Sequence, residues 1–258
     1  MSRVLAANWK MNLTVSEART LYAAIADAGK LHPEVTTIVF PPFTALAALA
    51  PVRVGGGPAL GAQNCHAEPR GAFTGEISAE QVRDAGAEYV LAGHSERRRL
   101  FCENDLIVRA KVGAAWRAGL TPILCIGETL AERERRETQD ILARQLARAL
   151  EGAPARVPLL VAYEPVWAIG TGVVATPDQV AEAHGWVQAE LQKLRRLGSH
   201  VSTPVLYGGS VDPKNAGPLA GLPEVDGFLV GGASLSAPGF LAIAGALAAA
   251  AVHRPSPD

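Results

Sequence analysis

Four side chains in this 258-residue sequence can move a proton next to a carbonyl group, and each stands just beyond a short apolar run. Glu164 follows Pro158–Tyr163 and can act as a carboxylate base. His94 follows Tyr89–Ala92 after one glycine and can donate or relay a proton. Asn8 and Lys10 follow Val4–Ala7 and can stabilise negative charge developing on oxygen. Glycine-rich turns close two further runs, Gly208-Gly209-Ser210 after Pro204–Tyr207 and Gly231-Gly232 after Val225–Val230. Backbone N–H groups at such glycines can approach an anion closely. Taken singly, each feature has an ordinary explanation: a strand-end Lys or Glu is usually solvated, a lone His structural, a glycine pair a turn. Their meaning depends on whether one scaffold gathers them.

The scaffold is legible in the alternation of elements. Short β-rich runs (Val4–Ala7, Val35–Phe40, Ala59–Gln63, Tyr89–Ala92, Pro122–Ile126, Pro158–Tyr163, Pro204–Tyr207 and Val225–Val230) alternate with longer helical stretches. Most lack polar alternation, as parallel strands covered on both faces do. Helix starts carry chemical marks. Thr14-Val15-Ser16-Glu17 and Ser78-Ala79-Glu80-Gln81 are capping boxes, and Thr176-Pro177-Asp178-Gln179 adds proline at the first helical position. Asp212-Pro213 reads as a similar start without the box. After Pro177, Val180, His184, Val187, Leu191 and Leu194 recur at helical spacing and form one apolar face. The six charges Glu132 to Glu137 read as a solvated face at the start of the fifth helix. Eight β-then-α units predict a single α/β domain, a (β/α)8 barrel over residues 1–252, with a loose tail over 253–258. A doubly wound open sheet is the alternative. In a barrel the loops after the strands share one mouth, so the separate candidates become one site. Together they describe proton abstraction beside a carbonyl on a small phosphorylated substrate.

Composition excludes other classes. Hydrophobic residues make up 48% and charged residues 19%, which argues for a filled core and against disorder. The 24 basic and 25 acidic side chains leave a net charge of −1, so there is no strong field for nucleic acid or an anionic membrane. The three cysteines, Cys65, Cys102 and Cys125, fit neither a disulfide framework nor a zinc spacing, and read as reduced, mostly buried thiols. The apolar stretch Phe240 to Val252 is too short for a membrane span, and the N-terminus leaves no room for a signal segment. A cytoplasmic protein is expected. No HExxH, paired His or acidic cluster encodes a metal site, and no cofactor is expected. Gly170-Thr171-Gly172-Val173-Val174-Ala175 matches a dinucleotide-binding pattern, but it lies six residues past its strand and ahead of the helix cap at Thr176.

Six blocks in order carry a more specific signal: Asn8-Trp9-Lys10-Met11-Asn12, Gly61-Ala62-Gln63-Asn64, Gly93-His94-Ser95-Glu96-Arg97-Arg98, Tyr163 through Gly172, Tyr207-Gly208-Gly209-Ser210 and Val230 through Leu235. With these the sequence resembles the triosephosphate isomerase family across essentially residues 3 to 250. The resemblance implies that Glu164 removes a proton from the carbon next to the carbonyl of dihydroxyacetone phosphate, and that its return to the neighbouring carbon gives glyceraldehyde 3-phosphate. It implies a neutral His94 donating to the enediolate oxygens, with Asn8 and Lys10 adding positive potential. Ser95-Glu96-Arg97-Arg98 would begin a helix whose dipole opposes an imidazolium at His94. Glu96 would pair with Lys10, and Ser95, Cys125 and Glu128 would support the site. Gly170, Ser210, Gly231 and Gly232 would hold phosphate through backbone groups.

By the same resemblance, Pro165, Val166, Trp167, Ala168, Ile169, Gly170, Thr171, Gly172, Val173, Val174 and Ala175 form a closing lid. Such a lid keeps the reaction dry, because an enediol phosphate exposed to water can eliminate phosphate. The second hinge departs from the usual Lys-Thr-Ala, being Val173-Val174-Ala175, and β-branched residues restrict its dihedrals. The long loop Asn64 to Glu76, with Phe73 and Thr74 near its tip, resembles the arm that enters a partner subunit, so a homodimer is expected. Two other functions compete: isomerisation of a longer phosphorylated sugar such as a tetrose phosphate, and a non-catalytic phosphate-binding barrel. The general base Glu164 disfavours the second, since a binding module needs none.

Overall fold

A computed structural model describes residues 3–29, 32–53, 57–154, 156–170, 173–196 and 203–252. Eight strands, β1 (Arg3–Asn8), β2 (Val35–Phe40), β3 (Ala59–Ala62), β4 (Tyr89–Ala92), β5 (Thr121–Ile126), β6 (Leu160–Tyr163), β7 (Val205–Tyr207) and β8 (Gly227–Val230), close a parallel barrel in sequence order. The closing seam pairs Val4 with Gly227 and Ala7 with Val230. Around it run α1 (Val15–Gly29), α2 (Phe43–Leu49), α3 (Ala79–Asp84), α4 (Ser95–Leu100), α5 (Asp105–Arg117), α6 (Leu130–Glu134), α7 (Thr138–Leu150), α8 (Pro177–Arg196), α9 (Ala216–Ala220) and α10 (Ala237–Val252). The expected strands are all present, β2 and β4 with the expected ends and the others with ends shifted by at most two residues. The open-sheet alternative fails because β1 pairs with both β2 and β8.

The strands lack polar alternation because each feeds two apolar shells. Val4, Ala6, Ile38, Phe40, Leu91, Ile123, Cys125, Leu160, Ala162, Leu206 and Leu229 form a cluster made of strand residues, the barrel interior. Their neighbours Leu5, Ala7, Val39, Val90, Leu124, Val161, Val205 and Phe228 join helix residues in the outer core. Period-two geometry sends successive side chains to opposite faces, so both sets must be apolar. The interior alternates large and small: a Cβ on Gly61 would lie 2.2 Å from the fully buried Phe40 ring, so the ring occupies the space that glycine vacates.

The expected caps at Thr14–Glu17, Ser78–Gln81 and Thr176–Gln179 are all formed. His184 lies on the buried face of α8 as expected, and its Nδ1 is 3.1 Å from the Glu224 carbonyl. Burial lowers its pKa to about 4, so it is a neutral core residue. Two local expectations need correcting. Asp212 does not begin a helix; its carboxylate accepts the N–H groups of Lys214 and Asn215 in a turn, and α9 starts at Ala216. The charges Glu132 to Glu137 do not open one helix. They span the end of α6, a reversal at Arg136 (φ 60°) and the start of α7, and Arg133 turns inward. Of the cysteines, Cys65 and Cys125 are buried and Cys102 is exposed. The tail from His253 to Asp258 and the lid residues Thr171 and Gly172 lie outside the described residues.

Candidate active site

Interior parity selects the site. Along β6 the inward series Leu160, Ala162 continues to Glu164; along β1, Val4 and Ala6 continue to Asn8. Beyond the apolar layers the inward register thus delivers a carboxylate and an amide to the carboxyl-terminal mouth, and a left-handed turn after β1 brings in the Lys10 ammonium. There Asn8, Lys10, His94, Glu164, Gly170, Ser210, Gly231 and Gly232 line one cavity of about 350 Å³. A larger cavity of about 610 Å³ lies beneath the arm, but it is lined by Glu68, Glu76, Glu80 and Asp84 and would repel an anion. Convergent chemistry, rather than size, identifies the site.

Glu164 is 1% exposed and held from two sides. Its Oε2 accepts the Ser95 N–H at 2.8 Å, and its Oε1 lies 3.1 Å from His94 Nε2 without an aligned donor. One oxygen is anchored by Ser95 and the other faces His94. His94 caps α4, and its Nδ1 accepts the backbone N–H of Glu96 at 3.2 Å. In a neutral ring that contact leaves the proton on Nε2, the nitrogen that lies near Glu164 and lines the cavity. The Glu96 carboxylate, 3.7 Å from Nδ1, is paired with Lys10.

Lys10 Nζ meets Glu96 Oε1 at 2.6 Å, as the sequence led one to expect. Burial pushes the Glu96 carboxyl up, yet the Lys10 hydrogen bond and charge outweigh it and hold it below the ordinary value. The Lys10 backbone is left-handed at φ 51°, uncommon for a residue with a Cβ. Two contacts stabilise that turn: the Lys10 N–H donates to Asn8 Oδ1 at 3.0 Å, and Gln63 Nε2 donates to the Lys10 carbonyl at 2.8 Å. Asn8 is therefore a cavity residue that also shapes the lysine. The positioning role of Gln63 was not read from the sequence, though its block was singled out.

The glycines divide in an unexpected way. A Cβ on Gly208 would press on Glu164 Cγ at 2.9 Å, and one on Gly209 would meet the Tyr207 hydroxyl at 2.2 Å. This pair makes room for side chains as much as for an anion. Gly231 stands against Lys10 Cε, at 3.4 Å from a Cβ, whereas Gly232 has open space and begins a single helical turn, Gly232–Leu235. The first amides of such a turn have no acceptor within it, and Ala233 joins the cavity lining beside them. Cys125 is fully buried; burial and the Glu164 carboxylate push its thiol well above the usual value, so it is an inert packing group.

Glu128 is fully buried behind the base. Its Oε1 accepts from the Tyr163 hydroxyl at 3.1 Å and from Trp167 Nε1 at 2.8 Å. Arg133 lies 3.2 Å from the same oxygen and covers the Trp167 ring at 4.7 Å. The helical turn Val166–Ala168 is thus moored to the barrel wall, while Val173 and Val174 are about half exposed (51% and 49%).

A parallel eight-stranded barrel that gathers a carboxylate, an imidazole and an ammonium at its carboxyl-terminal mouth has the groups that proton-transfer chemistry needs, and the relatives of the chain give the class, the intramolecular isomerases. The chain matches the family model of triosephosphate isomerase over residues 3–247, and it belongs to that family. It is 48% identical to triosephosphate isomerase of Magnetococcus marinus over 253 residues, covering 95% of this chain and 98% of that one. It is 49% identical to triosephosphate isomerase of Bdellovibrio bacteriovorus over 245 residues, covering 95% and 99%. The crystal structure of triosephosphate isomerase from Bartonella henselae superposes with a TM-score of 0.87 at 40% identity, covering 95% and 99%. The protein is accordingly an aldose–ketose isomerase acting on triose phosphates.

Proposed function

We propose that Glu164, His94, Lys10 and Asn8 carry the interconversion of dihydroxyacetone phosphate and glyceraldehyde 3-phosphate. The observation that supports this most is the buried pair, Glu164 Oε1 and His94 Nε2, 3.1 Å apart at one side of the cavity. Glu164 takes the proton from the carbon beside the carbonyl, leaving an enediolate. The Nε2–H of neutral His94 donates to the enediolate oxygens, and Lys10 with Asn8 offsets their charge. Glu164 then returns the proton to the neighbouring carbon. The backbone amides of Gly232 and of the residues about Ser210 and Gly170 receive the phosphate, whose charge no other cavity cation than Lys10 meets among the described residues. Turnover of triose and tetrose phosphates in one coupled assay tests the substrate: a kcat/KM approaching the diffusional range of about 10⁸ M⁻¹s⁻¹ is expected for glyceraldehyde 3-phosphate alone. Comparable values for a tetrose phosphate would replace the substrate assignment.

The segment from Pro165 to Ala175 is read as a lid moored at Trp167 and hinged at Val173 and Val174. Both valines are β-branched, so they restrict the hinge's backbone dihedrals. The double change Val173→Lys and Val174→Thr is expected to alter turnover or product release without abolishing it, and stopped-flow kinetics with product-release traces would detect this. A dead enzyme would refute the tolerant hinge.

A homodimer completes the reading, with residues 1–252 as one catalytic domain and the cytoplasm as its compartment. No helix among the described residues is long and apolar enough to cross a membrane. Met11, beside Lys10, is 97% exposed, and the arm folds over the 610 Å³ cavity with Phe73 stacked on His66 at 4.2 Å. An exposed methionine next to Lys10 and an exposed arm on one chain suit a two-fold exchange, the arm of each copy, with Thr74 near its tip, entering the other beside Asn8 and Lys10. Sedimentation at micromolar concentration is expected to give twice the chain mass of 26.9 kDa. A fully active monomer would overturn the arm's role.

A further inference from the structure

We propose that Arg98 is a positioning residue for the isomerisation, its guanidinium locking the end of β4, which bears His94, to the end of β5, which braces Glu164. The inference rests on the assignment of His94 and Glu164 as the reacting pair. Arg98 Nε donates to the Gly93 carbonyl at 2.9 Å, Nη1 to Asp105 Oδ1 at 2.7 Å, and Nη2 reaches the Cys125 carbonyl at 3.4 Å. Three acceptors from three segments therefore converge on one planar cation.

The first acceptor belongs to the peptide unit that joins Gly93 to His94, so its orientation fixes where the histidine departs from the barrel. Gly93 is left-handed at φ 73°, and a Cβ there would lie 2.8 Å from Val108 Cγ2 and 3.0 Å from Arg98 Nη2. Only glycine fits between the guanidinium and α5. The Cys125 carbonyl is next in chain to Ile126, whose own carbonyl accepts the Glu164 N–H at 2.7 Å. Displacing the β5 end would thus displace the base by its backbone. Asp105 holds the guanidinium from the far side and is itself fixed at the start of α5, where Asn104 caps the N–H groups of Leu106 and Ile107. Arg98 and Asp105 are each 18% exposed, so the joint is largely shielded from water.

Lysine cannot replace this fork, because a single ammonium cannot direct parallel donors at separated carbonyls. Displacements of about 1 Å at a reacting pair cost on the order of 10²-fold in rate. Arg98→Lys is therefore expected to lower kcat on the order of 10²-fold with KM within about threefold, since substrate binding groups are untouched. In Arg98→Ala, millimolar guanidinium is expected to restore much of the lost kcat, while methylammonium does not. Nitrogen NMR of ¹⁵N-histidine-labelled protein should show the His94 ring signals moved in both variants and returned by guanidinium. A mere loss of stability would move the urea midpoint but give neither the chemical rescue nor the local His94 signature. Unchanged kcat in Arg98→Lys, or lost kcat with unmoved His94 signals, would overturn the proposal. If Arg98→Ala does not fold, the kinetics and His94 signals of Arg98→Lys decide. Active Glu164→Gln and His94→Gln enzymes would instead show the reacting pair to be misassigned. Inactivity of those two beside normal turnover in Arg98→Lys would remove only the role of Arg98.

Discussion

Glu164→Gln is expected to lower kcat by roughly 10²- to 10⁴-fold while leaving the fold intact, the range that a positioned general base supplies. The amide is isosteric with the carboxylate, and its oxygen can still accept the Ser95 N–H that now binds Oε2 at 2.8 Å. The buried position therefore keeps the Ser95 hydrogen bond, loses its basicity, and sets an amide NH2 in place of the oxygen 3.1 Å from His94 Nε2. Glu164→Asp probes geometry instead: the carboxylate retreats by about one bond length, and a loss on the order of 10²-fold is expected. The space freed lies over Gly208, where a Cβ would have touched Glu164 Cγ. Steady-state rates with glyceraldehyde 3-phosphate, and hydrogen exchange into recovered substrate from heavy water, read both variants. Near-wild-type turnover in Glu164→Gln would end the assignment of the base.

The second large effect is expected at Lys10. Lys10→Met keeps the stem's length and apolar character but removes the ammonium, and kcat/KM is expected to fall by about 10²- to 10³-fold, as when one donor to a developing oxyanion is lost. Substitution also strands the half-buried Glu96 carboxylate, whose partner at 2.6 Å disappears. The double variant Lys10→Met with Glu96→Gln separates the two consequences. Stability lost through Glu96 should return in the double variant, whereas catalysis should not. A Lys10→Met enzyme within tenfold of wild type would exclude the ammonium from the chemistry. The pH sign follows from Glu96. Its carboxyl is held below the ordinary range, so the pair's contribution is complete above the unfolded glutamate value near 4.3 and fades as pH falls through the lower folded value.

Much of this was legible before any coordinates. Apolar runs flanked by caps announced the barrel because parallel strands covered on both faces cannot alternate, and the polar residues just past each run had to meet at one mouth. The inward series 160, 162, 164 and 4, 6, 8 could also have been read from parity, and would have shown that Glu164 and Asn8 point inward, whereas Lys10 lies past the strand in a left-handed turn. The Thr129–Glu132 capping box, which marks α6, was equally readable. Other features depend on distant parts of the chain. Nothing local distinguishes Arg133, which joins Glu128 and Trp167, from the five charges around it. Gln63 gains its role from a left-handed turn 53 residues away, and Gly208 from a side chain on the neighbouring strand. Such roles arise from tertiary packing, which spacing along the sequence does not encode.

The close approach of β5 and β6 has a consequence for anyone building sequence libraries on this scaffold. A Cβ at Gly127 would sit 1.7 Å from the Glu164 carbonyl oxygen, inside the atom it must avoid, and backbone cannot yield as a flexible side chain does. Every library member altered there is expected to be lost whatever is chosen at other positions. Gly232, with no atom within 4 Å of its Cβ and no left-handed backbone, is the opposite case. The room at Gly232 is the room its proposed phosphate contact needs, so diversity aimed at a reshaped substrate range is kept off that lip as well as off the seam that carries Glu164.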